Sequence, residues 1–144
     1  MEINPNKSFN TQSIEETNIL NLDFMKLSTF SDHNVIPVAV QNAITQEVIL
    51  VAYTNEIAFK ETVKQKKAIF WSTSRNELWL KGQDSGNTFT IRSIFVNCEQ
   101  NSLVYQVTPD KDNICHTTRN NVVNNCFYRE INLETLELIF KDDK

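Results

Sequence analysis

Apolar and polar positions change over in short bursts along most of this chain, and those bursts define its elements. Residues 1–20 hold no sustained period and are rich in Asn, Gln, Ser, Thr and Glu, which predicts a mobile or loosely docked polar extension. A single domain is expected over 21–144. Scattered apolar residues run from Leu22 to Phe30, and a polar break, S-D-H-N, follows. His33 in that break reads as a solvated loop histidine. The run V-I-P-V-A-V-Q (35–41) opens the core, E-V-I-L-V-A-Y (47–53) is a second β-prone run, and N-A-I-T-Q between them suits a hairpin connection.

The segment T-N-E-I-A-F-K-E-T-V-K-Q-K-K (54–67) predicts a helix. Thr54 or Asn55 can cap its start, Glu56 lies in its first turn and lysines cluster at its end, matching the helix dipole. Five more short β-branched or aromatic runs follow at 68–72, 77–81, 88–97, 102–107 and 125–130, each bounded by turn-like residues. The tail I-N-L-E-T-L-E-L-I-F (131–140) fits a closing helix or an edge strand equally, and no internal repeat stands out. The pattern predicts a mainly β, α+β domain: a curled or barrel-like, mainly antiparallel sheet with one or two short helices.

Composition narrows the functional classes. The 144 residues carry a net charge of -4, with no basic block longer than Lys64 to Lys67, so neither nucleic acid nor an anionic membrane is expected as a partner. No apolar run approaches the roughly 20 residues of a membrane-spanning helix, and the N-terminus lacks the pattern of a secretory signal, so a cytoplasmic location is expected. Only two glycines occur, both in G-Q-D-S-G-N (82–87), which marks that loop as a tight turn or a place of close backbone approach.

Cysteine arithmetic points to a metal. Cys98, Cys115 and Cys126 are an odd number, cannot all pair as disulfides, and cluster in the last third of the chain beside His116. Three thiolates could hold zinc and leave a fourth position open; their spacing contains no C-x-x-C knuckle, so inert buried cysteines are the other reading. His116 could be a fourth ligand, a general base, or a histidine hydrogen-bonded in a turn. A second constellation supplies phosphate-type donors: hydroxyls at Ser72, Ser74 and Ser85, cations at Arg75 and Lys81, and backbone at Gly82 and Gly86. Trp71 and Trp79 among them could stack on a base or fill the core.

The order of these motifs carries more than any one of them. V-I-P-V-A-V-Q, A-Y-T-N-E, W-S-T-S-R, L-W-L-K-G-Q-D-S-G, N-C-E-Q-N-S-L, C-H-T-x-R and C-F-Y-R occur collinearly over about residues 20–130. This arrangement resembles the phosphoribosyl-AMP cyclohydrolase family of histidine biosynthesis. The resemblance implies a zinc-dependent cyclic amidine hydrolase that opens the N1–C6 bond of the adenine ring in 1-(5-phosphoribosyl)-AMP, a small-molecule nucleotide. It also implies an intertwined homodimer with shared active sites, Cys98 coming from one chain and Cys115 and Cys126 from the other.

By the same resemblance His116 is the general base. Trp71, Ser72, Ser74, Arg75, Lys81, the loop residues Gly82, Ser85 and Gly86, and Arg119 of C-H-T-x-R form the substrate-binding set. The family brackets its first zinc cysteine with aspartates, D-C-D-x-D, associated with Mg2+; Asn97, Glu99 and Asn101 stand at those positions here. Thr118 replaces a family glycine, and N-N-V-V-N-N lengthens the connection before Cys126 by about four residues. These departures motivate an alternative expectation, a catalytically impaired, zinc-stabilised nucleotide-binding protein of the same fold.

Overall fold

The computed structural model describes residues 16–25, 34–111, 118–119, 122–123 and 125–140. Its centre is a four-stranded sheet of β1 (Ile36–Asn42), β2 (Val48–Thr54), β5 (Phe89–Val96) and β6 (Leu103–Pro109), in the order β2-β1-β6-β5. Both hairpins, β1–β2 and β5–β6, are antiparallel as expected. They are joined by a parallel pairing of β1 with β6 that the sequence pattern did not suggest. Pro37, which cannot donate to a ladder, sits at the entry of β1, one residue before its pairing with β6 begins at Val38.

Helix α1 (Glu56–Gln65) follows β2 directly. Asn55 caps it by accepting from the Ala58 amide at 2.9 Å, and Lys66 ends it in the left-handed region at φ 58°. A hairpin of β3 (Ile69–Ser72) and β4 (Glu77–Leu80) comes next. Its lead-in bonds to the β5 edge, with the Ala68 amide donating to Phe89 O at 3.0 Å and the Ile91 amide to Lys66 O at 2.9 Å. The sheet therefore curls around its contents but does not close into a barrel.

Alternation places Ile36, Val38, Val40, Leu50, Ala52, Leu103, Tyr105 and Val107 on the buried face. Phe70 packs on them, stacked on Tyr105 with ring centroids 6.0 Å apart and tilted against Trp79 at 5.6 Å. Thr62 Oγ1 ties α1 to β3 inside this core, lying 2.9 Å from Ala58 O, 2.8 Å from Ile69 O and 3.1 Å from the Ile69 amide.

The C-terminal part departs from the expected run at 125–130. Residues 125–128 turn, and pairing begins only at β9 (Arg129–Ile131), which forms a hairpin with β10 (Leu138–Phe140). The tail is thus not a helix, and its strand reading holds for β10, which pairs with β9. Between β6 and that hairpin, β7 (Thr118–Arg119) and β8 (Val122–Val123) form a short antiparallel ladder within the lengthened connection.

The loops of hairpins β1–β2 and β9–β10 are built alike. N-A-I-T-Q-E (42–47) and N-L-E-T-L-E (132–137) share Asn, Thr and Glu at the same places. In each, the Asn Oδ1 accepts from the amides two and three residues on, the Thr hydroxyl accepts from the Glu amide, and the penultimate residue, Gln46 or Leu136, has positive φ. No helix among the described residues is long and apolar enough to cross a membrane.

Candidate active site

The β3–β4 hairpin and the loop after it bring most of the expected anion-binding groups together. Ser72 Oγ accepts from the Arg75 amide at 3.3 Å and from Arg75 Nε at 3.4 Å, and it lies 3.3 Å from Ser74 Oγ. Arg75 is held further by Glu77 at 3.5 Å, and all four side chains stay accessible. The Lys81 ammonium sits 5.7 Å from the centroid of the Phe89 ring, and the residue is half-buried. Arg75, Trp79, Lys81, Gly82 and Ser85 line one groove of about 190 Å³.

Trp71 is separated from that set. Pairing of Phe70 with Trp79 and of Trp71 with Leu78 sends Trp79 to the core and Trp71 to the opposite face. Trp71 instead borders a groove of about 460 Å³ with Phe24, Asn55, Ile57 and Asn76.

The glycine loop is tight for a steric reason. Gly82 has φ 86°, and a Cβ there would lie 2.1 Å from Asn87 O. The Gly86 amide donates back to Gly82 O at 2.8 Å. Asn87, absent from the sequence-based set, organises the far side: buried to 2 % exposure, its Oδ1 accepts from the Lys111 amide at 3.0 Å, while its Nδ2 has no hydrogen-bond partner among the described residues. An asparagine directly following the second glycine was the signal available for it.

Asp110 lies beside this loop, just ahead of the segment that carries Cys115 and His116. Lys67 Nζ donates to its Oδ2 at 2.6 Å and Thr90 Oγ1 to its Oδ1 at 2.6 Å, and the Thr88 hydroxyl donates to Oδ2. Partial burial pushes its pKa up. The hydrogen bonds from Lys67, Thr88 and Thr90, with the Lys67 charge, outweigh that and bring it from 3.8 to about 2. Cys115 and His116 lie outside the described residues, as does His33, and Arg119 is described through its backbone in β7 alone.

The two described cysteines are exposed and far apart. The Cys126 amide donates to Ile49 O at 2.9 Å, on edge strand β2. Cys98 follows β5 at the other edge, three strands away in the order β2-β1-β6-β5. The paired residues Leu50, Val40, Tyr105 and Ile94 form one row across the sheet, and Cys98 lies four residues beyond Ile94. Strand spacing and rise then put the two cysteines on the order of 20 Å apart, whereas two sulfurs on one zinc are about 4 Å apart. One protomer does not bring them together, and no group of three His, Cys, Asp or Glu side chains suited to a metal occurs among the described residues.

Asn97, Glu99 and Asn101 share the β5–β6 loop with Cys98. Asn97 Oδ1 accepts from the Asn101 amide at 2.8 Å and the Ser102 amide at 2.9 Å, and Asn97 Nδ2 donates to Asn101 Oδ1 at 2.6 Å. Asn101 Nδ2 lies 3.4 Å from Glu99 Oε2. Both amide oxygens are thus committed inside the loop, and this donor set does not fit Mg2+, which takes six hard oxygen ligands at about 2.1 Å. Gln100, 4 % exposed with φ 55°, fastens the N-terminal segment: its Nε2 donates to Ile19 O at 2.8 Å, its Oε1 accepts from the Asn21 amide, and its O accepts from the Asp23 amide at 2.7 Å. Among the described residues this docking reaches back to Ile19, inside the polar extension.

Comparison with known proteins bears on what this arrangement is. A family model described as phosphoribosyl-AMP cyclohydrolase matches residues 50–128, from β2 through the glycine loop and all three cysteines. Proteins named phosphoribosyl-AMP cyclohydrolase are similar over most of the chain. That of Cenarchaeum symbiosum is 38 % identical over 116 residues, covering 81 % of this chain and 98 % of its own. That of Nitrosopumilus maritimus is 40 % identical over 97 residues, 67 % of this chain and 85 % of its own. The protein of Desulfotalea psychrophila is 37 % identical over 97 residues, 67 % and 73 % of the two chains. The chain, which carries this glycine loop and these hairpin hydroxyls, belongs to the phosphoribosyl-AMP cyclohydrolase family.

Proposed function

We propose that this chain hydrolyses the N1–C6 bond of the adenine ring of 1-(5-phosphoribosyl)-AMP, in the cytoplasm, as a zinc-dependent homodimer whose active sites are shared between protomers. Family membership supports the reaction. The observation that carries the shared site is the separation of Cys98 and Cys126 at opposite edges of one sheet. A site with both cysteines takes Cys98 from one protomer and Cys126 from its partner, and the family resemblance assigns Cys115 to the same chain as Cys126. The outward face of the sheet supports association too: Val51, Ala39, Val104 and Phe95 form an apolar row across all four strands, and Val51 and Phe95 are each more than half exposed.

Three thiolates with one open position fit catalytic zinc, which when bound acts as a Lewis acid and lowers the pKa of water to about 7. His116, next to Cys115, takes and returns the proton as general base. Arg75, Lys81, Ser72, Ser74 and the 82–86 backbone bind phosphate, with Arg119 contributing a further cation and Trp71 a surface for the base. Holding both phosphate ends restricts the ring to one position, the orientational part of the rate enhancement.

The test is the absorbance change of ring opening on phosphoribosyl-AMP with zinc-loaded protein, with Cys115→Ser as control. Turnover abolished in the control is expected. Absence of turnover by fully zinc-loaded wild-type protein that still binds nucleotide would overturn this reading in favour of an impaired nucleotide-binding protein.

A further inference from the structure

We propose that the Asn97–Asn101 amide pair closes the Cys98 loop by itself, so that this chain forms the loop independently of Mg2+. The hydrogen-bond pattern assigns every atom of the pair. Asn97 Oδ1 is the oxygen because it accepts two backbone amides, Asn101 at 2.8 Å and Ser102 at 2.9 Å. Its Nδ2 must then face Asn101, and the atom 2.6 Å away must be the acceptor Oδ1.

Two carboxylates in those places would set oxygen against oxygen at the same contact. Like charges so close are strongly unfavourable, and a divalent cation between them is the usual remedy. One amide donating to the other removes the repulsion and puts a hydrogen where the cation would bridge. The loop has a second anchor on the same turn. Gln100, at φ 55° and 4 % exposed, holds the backbone of Ile19, Asn21 and Asp23, so a turn opened by repulsion at 97 and 101 would also lose the docked N-terminal segment. Cys98 stays exposed on this closed turn.

The experiment is thermal unfolding of the full-length, zinc-loaded protein, wild type and Asn97→Asp/Asn101→Asp, with and without millimolar MgCl2 at matched ionic strength. The wild-type midpoint is expected to be unmoved by Mg2+. The double variant is expected to melt roughly 3–6 °C lower without Mg2+ and to recover saturably as Mg2+ is added. A double variant that can be purified only with Mg2+ present is the same result in stronger form. A saturable Mg2+-dependent rise in the wild-type midpoint, or a double variant destabilised and not restored by Mg2+, overturns the proposal. The readout is stability, so it stands whether or not the protein turns over substrate.

Discussion

If each zinc site takes Cys98 from one protomer and Cys126 from the other, two inactive variants should rescue each other. Cys98→Ser and Cys126→Ser each break both sites of a homodimer. Within one chain the two cysteines stand at opposite edges of the sheet: three strand spacings separate β2 from β5, and four residues of rise separate Ile94 from Cys98, on the order of 20 Å measured along the sheet. Two sulfurs on one ion lie roughly 4 Å apart. When the variants are mixed equally, unfolded and refolded together, half of the dimers are mixed. In a mixed dimer one site collects both substitutions and the other collects neither. Ring-opening activity and tightly bound zinc should each return to about one quarter of wild type. Mass spectrometry of intact dimers checks that exchange took place. Activity that stays at the level of the separate variants, with mixed dimers present, would refute the shared site.

Gly82→Ala should destabilise by about 3 kcal/mol in urea unfolding, because φ 86° is strained for any Cβ and the new atom meets backbone at 2.1 Å; Gly86→Ala, facing only the flexible Lys111 tip at 2.8 Å, should cost about 1–2 kcal/mol. A Gly82→Ala loss no larger than that of Gly86→Ala would contradict the contact. Asp110 has a folded pKa below its unfolded value, so its stabilisation is full above about pH 5 and is lost as pH falls through about 2. Asp110→Asn should therefore be less stable than wild type by about 1 kcal/mol at neutral pH, a figure reduced for solvent screening at a side chain 31 % exposed, and the gap should vanish below about pH 2. Burial pushes the Tyr105 hydroxyl up to about 12, and the nearby Thr54 and Thr62 hydroxyls moderate that without any of them reaching hydrogen-bond geometry with it. Tyr105→Phe should then be neutral or stabilising by about 0.5–1 kcal/mol, whereas Thr62→Val, which strands Ile69 groups at 2.8 and 3.1 Å, should lose about 1–2 kcal/mol. Equal losses in the two variants would show that Tyr105 is satisfied after all.

Local rules account for much of what could be read in advance. Asn55 before an acidic first turn and Lys64 in the last turn are sufficient to define α1, and period-two alternation identifies the buried faces of β1, β2 and β6. The tail at 131–140 was ambiguous because its apolar residues fit either period. The N-x-x-T-x-E spacing that it shares with residues 42–47 was the overlooked signal, since the same side-chain bonds to the same amides make the same hairpin loop. The residues that shape the glycine loop from outside it, Asn87 and Lys111, were not legible, because their contact joins positions 24 residues apart.

The sequence by itself determined the element types between residues 35 and 107, the position of the glycine loop and the cluster of cysteines and histidine around 115, because capping, alternation and residue chemistry act over a few neighbours. Tertiary structure alone decided that β1 lies parallel to β6, that the sheet curls without closing, and that Trp79 turns inward while Trp71 does not. It also decided that Cys98 and Cys126 stand at opposite edges of the sheet. Strand order is chosen by how the two hairpins bury a common apolar face, an energy summed over the whole core, and no short stretch of chain encodes it.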